Sequence, residues 1–293
     1  MSGLIRRSSK SDTITMDEFC DNWELCRESG EYCWRPDKTK LYLKDWHLCK
    51  SLSFNSDAYS TPEYFLDDWL NDWLCQADQA DGGNSDYKFC YWGPAGTETK
   101  LHTDVLKSNS WSGNVTGTKR WRMLSSKYSS ILEDSWGRCK YSSFDEVHAE
   151  KLPIQDFIQY EGEIVFVPSN WYHEVQNIDD TLSINHNWID SEGLMASWKY
   201  LKKEYELAAS LIDDCKELTT KDEFEQLVQR NVLVNCGMNY HTFCSMIRWN
   251  LSETEGKQQM GGKEQGTCWI MRRRQASCAR LILDEVSRHI SNP

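Results

Sequence analysis

The hydrophobic periodicity changes along this 293-residue chain, and that change limits the possible folds more than any other feature. From Tyr87 to about Ile189 the pattern is typical of strands: Tyr87, Phe89 and Tyr91 alternate along the chain, and the segment IVFVP is β-branched and apolar. Glycine or proline separates these runs. Beyond Asp190 the apolar period becomes about 3.6 residues, as in an amphipathic helix. We therefore predict an antiparallel β-sandwich or barrel with helices beside it.

The first third of the chain is predicted to be helical. Thr15 and Glu18 have the spacing of a capping box, and Thr61 followed by Pro62 is a second helix start. Aromatic residues recur at every fourth position after this start and predict a buried stripe, which consists of Phe65, Trp69 and Trp73. A polar stretch at 77–86 predicts an exposed loop.

The last third of the chain is also predicted to be helical. Its helical patterns cover four ranges, 194–212, 223–234, 240–251 and 269–290. The apolar-poor stretch 252–266 predicts a mobile break between the last two. These patterns divide the chain into three parts: an N-terminal helical elaboration (1–85), a β core (86–190) and a C-terminal helical region (191–293).

Composition excludes several functional classes. No run of 18 apolar residues is present, and the N-terminal residues have no apolar stretch typical of a signal peptide, so no membrane association is expected. The 12 cysteines form no CxxC pair and are expected to be reduced, which favours a cytoplasmic or nuclear protein. The net charge of -12 disfavours direct nucleic-acid binding.

The segment LHTDV contains two candidate metal ligands. His102 and Asp104 are two residues apart on a predicted strand, so their side chains leave the same face and are able to share one ion. A third ligand would complete the 2-His-1-carboxylate triad of non-heme iron(II) oxygenases. His173, in VPSNWYHEV, is the best candidate because it follows a proline turn. The alternative is that His102 and Asp104 only form a hydrogen bond.

The other histidines are predicted to lie on the surface or to support the ligands: His47, His148, His186, His241 and His289. A basic residue is also needed if the site binds the distal carboxylate of a dicarboxylate cosubstrate. Lys119 follows the predicted metal strand by the length of one hairpin and supplies a point charge. Strand alternation places Arg120 and Arg122 opposite Lys119. The alternative is that Lys119 faces solvent.

Four segments of the chain resemble JmjC-domain oxygenases, and the resemblance covers about 42–188. The segments are YLKDWHLC, YWGPAGTETKLHTDV, SWSGNVTGTKRW and EIVFVPSNWYHEVQNIDDTLSINHNW. The resemblance implies a double-stranded β-helix (a cupin-like jelly roll) with N- and C-terminal helices. It implies that His102, Asp104 and His173 bind Fe(II). It also implies cosubstrate contacts for a further set of residues, which comprises Thr99, Lys119, Asn185 and Asn187.

The resemblance also implies an activity. Members of this family use Fe(II), 2-oxoglutarate and O2 to hydroxylate protein side chains, and the motifs are most similar to those of the branch that hydroxylates a lysine of the eukaryotic translation termination factor. Two alternatives are an N-methyl-lysine demethylase and a non-enzymatic cupin-like binding protein. The demethylase is disfavoured because this short sequence shows no zinc-finger reader or chromatin module. The binding protein is disfavoured because a broken ligand triad would be expected in it.

Overall fold

The computed structural model describes residues 15–28, 40–48, 58–81, 86–147, 152–259 and 267–291. The strands in these ranges are β1 (Leu43–Trp46), β2 (Lys88–Gly93), β3 (Glu98–His102), β4 (Asn109–Thr116), β5 (Lys119–Leu124), β6 (Gln155–Gln159), β7 (Ile164–Val167), β8 (Tyr172–Asn177) and β9 (Thr181–Trp188). The α-helices are α1 (Met16–Glu28), α2 (Trp69–Asp81), α3 (Ser129–Leu132), α4 (Leu194–Leu211), α5 (Lys221–Cys236), α6 (Tyr240–Gln259) and α7 (Thr267–Ser291).

The strands form two sheets, as the alternating pattern predicted. One has the strand order β1-β2-β9-β4-β7 and the other the order β3-β8-β5-β6. Neighbouring strands are antiparallel in each pairing described. Consecutive strands such as β8 and β9 belong to different sheets, which is the arrangement of a jelly roll. Trp121 and Val175 of one sheet pack with Val167 of the other, so an apolar core lies between them.

The N-terminal helix α1 begins at the predicted capping box. Thr15 Oγ1 accepts a hydrogen bond from Glu18 N (3.2 Å), and Glu18 Oε2 accepts one from Thr15 N (2.7 Å). The helix buries Phe19, whose ring lies 5.3 Å from that of Trp92. The prediction of this helix is therefore confirmed, and α1 packs against Trp92 on the outer face of β2.

The helix predicted at Thr61 begins later than expected. Residues Glu63–Phe65 form only a 3-10 turn, and α2 starts at Trp69. Asp68 causes the later start because its carboxylate accepts a hydrogen bond from Asn71 N (2.8 Å), which caps the first turn. The prediction that Phe65, Trp69 and Trp73 lie on one face of a single helix was therefore wrong, since Phe65 precedes the helix.

Two predicted breaks lie partly within helices. The loop predicted at 77–86 was wrong for 77–81, because α2 continues to Asp81, and 82–85 lie outside the described residues. The break predicted at 252–266 was wrong for 252–259, because α6 continues to Gln259, and 260–266 lie outside the described residues. Both stretches contain alanine, glutamine, glutamate or lysine, which are strong helix formers although they are not apolar.

The chain forms two compact units, whose residues are interleaved in sequence. The first comprises Met1–Tyr59, Tyr87–Thr103 and Ser110–Asn187, and the second comprises Ser60–Asp86, Asp104–Asn109 and Trp188–Pro293. The domain boundaries proposed at residues 86 and 190 stay predictions.

The second unit contains the four predicted C-terminal helices, which are confirmed as α4 to α7. Trp198 and Phe243 are fully buried in its core. Asn250 of α6 donates a hydrogen bond to the Trp69 carbonyl oxygen (2.9 Å) and thereby ties α6 to α2. Among the residues that the structure describes, no helix combines the length and hydrophobicity that a membrane crossing requires.

Candidate active site

The inner face of the four-stranded sheet carries four of the predicted site residues. Strand pairing aligns His102 with His173, Thr99 with Val175, and Lys119 with Asn177. Residues directly opposite each other share a face, and so do residues two apart on one strand. Thr99, His102, His173 and Lys119 therefore point to the same side. This face is also where Trp121, Val175 and Asn177 are buried.

A β-bulge makes this arrangement possible. Thr99 and His102 are three residues apart and would point to opposite faces of a regular strand. The register of β3 against β8 shifts between them, which turns His102 to the face of Thr99. Leu101, between them, is buried in a different cluster, with Leu124 and Tyr172. The bulge therefore directs the histidine into the site.

His102, Asp104 and His173 come together, with one potential ligand atom from each within 4.8 Å of the others. The two imidazole rings are 4.2 Å apart. Asp104 was predicted to lie on the same strand as His102. This prediction was wrong, because β3 ends at His102. Asp104 occupies extended backbone just before the 3-10 turn Val105–Lys107, so its side chain reaches the histidines from the strand end.

Backbone carbonyl groups orient both histidines. His102 Nδ1 lies 2.7 Å from the Lys100 carbonyl oxygen, and His173 Nδ1 lies 3.3 Å from that of Trp171. A proton on each Nδ1 leaves the lone pair on Nε2, the tautomer that binds metal ions. Trp121 stacks on the His173 ring with an interplanar angle of 23°. The rings are thus held in one orientation.

The donor set fits an iron(II) ion. Two imidazole nitrogens and one carboxylate oxygen are the ligands of a facial triad, which leaves three coordination positions for other molecules. Bonds of about 2.1 Å to ligands at about 90° to one another, as in a facial triad, set the ligand atoms about 3.0 Å apart. The three ligand atoms lie within 4.8 Å of one another, so each pair has to approach by at most about 1.8 Å to bind one ion.

Lys119 is buried on the inner face, with 1% of its surface exposed, so the solvent-facing alternative was wrong. Its Nζ donates a hydrogen bond to Ser183 Oγ (2.7 Å), and in the described parts of the chain no carboxylate pairs with it. Burial lowers the pKa of Lys119 to about 7. A buried cation whose described partner is a neutral hydroxyl is a strong site for an anion.

Arg120 and Arg122 point away from this site, as strand alternation predicted. Arg120 forms a bidentate pair with Asp156, and both side chains are more than two-fifths exposed. Arg122 pairs with Glu174 (2.7 Å). Both guanidinium groups are therefore neutralised on the outer face of the sheet.

Strand β9 supplies the polar wall opposite Lys119. Asn185 Nδ2 donates a hydrogen bond to Ser183 Oγ (3.0 Å), the same oxygen that Lys119 contacts. Asn187 is buried and lies two residues farther along the same face. On β4, Ser112 is 2% exposed, and its Oγ has no hydrogen-bond partner within the described residues. This polar oxygen is available to a bound ligand.

Sequence reasoning missed Tyr42 and Ser183. Burial raises the pKa of the Tyr42 hydroxyl to about 12, although hydrogen bonding with Asn177 and Thr99 acts in the opposite direction. Gly93 permits this position, because a Cβ atom there would collide with the Tyr42 ring. The YLKDWHLC motif was a signal for Tyr42, and alternation from Asn185 was a signal for Ser183.

His186 lies on the opposite face of β9 from Asn185 and supports the strand from outside. It is 1% exposed, and its Nε2 lies 2.6 Å from the Tyr59 hydroxyl. Its ring is 4.3 Å from that of Trp111. Of the remaining histidines, His47 packs near Phe89 and His289 near Trp198, His241 is exposed, and His148 lies outside the described residues.

Comparison with known protein families agrees with this geometry. Residues 89–188 match the family described as "JmjC domain, hydroxylase", a range that contains every candidate ligand. This segment is a JmjC domain. The JmjC fold and the two-sheet core with helices therefore agree with the predicted jelly roll.

The chain is similar over most of its length to several named proteins. An "arginine-specific demethylase JMJ20" of Arabidopsis thaliana is 40% identical over 247 residues, which is 78% of this chain and 51% of that protein. The proteins named "2-oxoglutarate and iron-dependent oxygenase JMJD4" of Gallus gallus and Homo sapiens are 32% and 35% identical, over 82% and 67% of this chain and 56% and 47% of their own lengths. The chain thus spans about half the length of these relatives.

Proposed function

We propose that this chain is an iron(II)- and 2-oxoglutarate-dependent oxygenase that hydroxylates a protein side chain. One observation carries the proposal: a JmjC domain brings three potential metal ligands together, and two of them, His102 and His173, lie on the inner face that also carries the buried Lys119. The names of the JMJD4 relatives, which describe iron- and 2-oxoglutarate-dependent oxygenases, support the same chemistry.

In this proposal His102, Asp104 and His173 hold the iron. When bound together with 2-oxoglutarate and dioxygen, the iron supplies the oxidising chemistry that a protein side chain cannot perform. The carbonyl contacts of Lys100 and Trp171 keep both Nε2 atoms directed at the ion. Because three protein ligands leave three coordination positions, the cosubstrate and dioxygen have room to bind.

Lys119 is proposed to bind the distal carboxylate of 2-oxoglutarate. Its strand partner Asn177 is four residues from His173, a separation of roughly 13 Å along β8. The lysine side chain and a five-carbon dicarboxylate together span that distance. Thr99 and the Tyr42 hydroxyl are proposed to donate hydrogen bonds to the same carboxylate. Charge-assisted bonds of this kind stabilise the buried ion pair.

Asn185 and Asn187, which line β9, are proposed to contact the cosubstrate from the opposite sheet. The amide of Asn185 already holds Ser183 Oγ in place. Apolar side chains on the facing sheet, among them Trp121 and Val175, exclude water from the site. Water exclusion strengthens each polar contact and protects reactive species from side reactions.

The substrate is proposed to be a lysine of the eukaryotic translation termination factor, and the reaction to be C-hydroxylation. The support is the resemblance of the four motifs to the family branch that performs this reaction. A second candidate is demethylation of N-methylarginine, which the name of the 40% identical Arabidopsis relative favours. Both reactions need the same iron site, because demethylation also begins with a hydroxylation. Once the N-methyl carbon is hydroxylated, it leaves as formaldehyde.

Mass spectrometry separates these candidates. Recombinant termination factor and a methylarginine-containing protein would each be incubated with the chain, iron(II), ascorbate and 2-oxoglutarate. We expect one added oxygen atom on a lysine of the factor; loss of a methyl group from methylarginine with formaldehyde release would instead identify a demethylase. His102→Ala should abolish product and succinate, whereas His241→Ala, at an exposed histidine, is the matched control. Absence of succinate from the unmodified chain would favour a non-enzymatic binding protein.

A further inference from the structure

The turn that follows Asp104 has an unusual backbone conformation. Ser108 N donates a hydrogen bond to the Val105 carbonyl oxygen (2.9 Å), so Leu106 and Lys107 are the two central residues of a tight turn. Their φ angles are 55° and 53°. Turns with positive φ at both central residues normally contain glycine, asparagine or aspartate, because other side chains clash with the backbone in this region. This chain has leucine and lysine there instead.

The position of this strained segment is informative. Within the described ranges, it is the only place where two consecutive residues have positive φ. It begins two residues after Asp104, which is a candidate iron ligand. Strained backbone persists only where the surrounding structure holds it, and it is concentrated at functional sites. The next question is therefore what holds Leu106 and Lys107 in this conformation.

Helix α4 packs against the turn and holds it. Leu106 is 1% exposed, so its side chain is buried in the folded protein. The ammonium group of Lys107 lies 5.8 Å from the centre of the Tyr200 ring on α4, a distance at which a cation is attracted to the face of the ring. The turn and α4 belong to the same compact unit. Burial of the leucine and attraction of the lysine therefore offset the steric cost of the left-handed backbone.

The same turn sets the position of the Asp104 carboxylate. Lys107 N donates a hydrogen bond to the Asp104 carbonyl oxygen (3.2 Å), so the backbone of the ligand residue is bonded directly to the strained segment. Strand β3 ends at His102, and Asp104 therefore lies beyond the end of this strand. Rotation of Leu106 to an ordinary negative φ would open the turn. It would also redirect the chain between Asp104 and the buried Ser108.

We propose that Leu106 and Lys107 are positioning residues that hold the carboxylate of Asp104 at the metal site. The inference rests on the proposed oxygenase function and adds that α4, through this turn, controls one of the three ligands. A molecule in which the turn relaxes is not competent to bind the ion with all three ligands. The apparent affinity for the metal therefore falls in proportion to the fraction of molecules that keep the left-handed conformation.

A pair of substitutions at Leu106 tests the backbone separately from the packing. Leu106→Ala and Leu106→Gly both remove the buried side chain, but glycine adopts positive φ without a steric cost and alanine does not. The probe is manganese(II) alone, and binding is measured by isothermal titration. We expect Leu106→Ala to bind manganese(II) about tenfold more weakly than Leu106→Gly, because only glycine keeps the turn populated without the leucine anchor.

Lys107 supplies a second pair, which stays informative if truncation of Leu106 prevents folding. Lys107 is only partly buried, and both Lys107→Ala and Lys107→Gly remove its ammonium group. We expect the alanine variant to bind manganese(II) about three- to tenfold more weakly than the glycine variant, because alanine retains the steric cost at positive φ. Lys107→Gly should also have the higher urea midpoint of the two.

Two matched controls change residues outside the turn. Lys199 is exposed within α4, where glycine disfavours the helix, so Lys199→Gly should have a lower urea midpoint than Lys199→Ala and an equal affinity for manganese(II). Leu251→Ala truncates a buried leucine of α6 and should leave the affinity unchanged. The order of the alanine and glycine variants is thus expected to reverse between Lys107 and Lys199.

The outcomes separate this inference from the proposed function. If the unmodified chain binds no manganese(II), or if His102→Ala binds it equally well, the iron site and the oxygenase proposal fail, and this inference fails with them. If manganese(II) binds and His102→Ala abolishes binding, but the alanine and glycine variants of the turn bind it equally, the iron site stands and the inference is overturned. A loss of affinity in Leu251→Ala as large as that in Leu106→Ala would also overturn it.

Discussion

Replacing Lys119 with methionine should stabilise the ligand-free protein while it abolishes cosubstrate binding. The reason is that Lys119 is an ammonium group almost fully removed from water, with a hydroxyl as its hydrogen-bond partner. Methionine has a similar length and needs no solvation of a charge. Ser183 Oγ keeps a hydrogen-bond donor in the variant, since Asn185 Nδ2 lies 3.0 Å away.

The magnitude follows from the pKa of Lys119, which burial lowers from 10.5 to about 7. At pH 7 Lys119 is protonated in nearly all unfolded molecules but in only about half of the folded ones. This difference in pKa destabilises the native state by about 4 kcal/mol. Replacement of buried ion pairs by apolar residues of similar volume stabilises proteins by up to about 4 kcal/mol, so we expect a gain of about 1–4 kcal/mol for this buried charge.

The pH dependence has a definite sign. Between pH 7 and 10.5 the unfolded chain binds more protons at this residue than the folded chain, so the stability of the unmodified protein rises with pH there. The advantage of Lys119→Met should therefore fall by about 2 kcal/mol from pH 7 to pH 9.

Urea denaturation of the protein without 2-oxoglutarate measures both effects. Arg120→Met, which changes a cation on the exposed outer face, is the matched control and should show neither. Isothermal titration with 2-oxoglutarate and iron(II) should detect no binding to Lys119→Met. A variant that is less stable than the unmodified protein at pH 7, or that still binds 2-oxoglutarate normally, would refute the reasoning about this lysine.

Three further predictions follow from other contacts. Because anion binding requires the protonated form of Lys119, affinity for 2-oxoglutarate should be about fivefold weaker at pH 8 than at pH 7; titration calorimetry showing equal affinity would contradict the assigned pKa. His186→Phe removes the hydrogen bond to Tyr59 and should raise the KM for 2-oxoglutarate more than it lowers kcat, whereas His186→Gln, which retains a polar atom, should recover part of the loss; equal effects in steady-state assays would argue for a purely structural role. Asp68→Ala removes the cap of α2 and should lower the free energy of unfolding by about 1 kcal/mol, so an unchanged urea midpoint would be inconsistent with capping.

Some features could be predicted from the sequence because they depend only on neighbouring residues. Thr15 and Glu18 are three residues apart, and a capping box needs no information from the rest of the chain. Alternation around Lys119 correctly separated it from Arg120, since neighbours on a strand always face opposite sides. Local pattern failed at Trp69, because the start of α2 depends on the Asp68 carboxylate rather than on the earlier threonine-proline pair.

The sequence by itself determined that a strand core is flanked by helices, which residues are candidates for the site, and that Lys119 lies on the opposite strand face from Arg120. Only the tertiary structure decided that the bulge in β3 turns His102 toward His173, and that Tyr42 lies beside Thr99. The physical reason is that register between distant strands is set by packing of the whole sheet, and a shift of one residue moves a side chain to the opposite face.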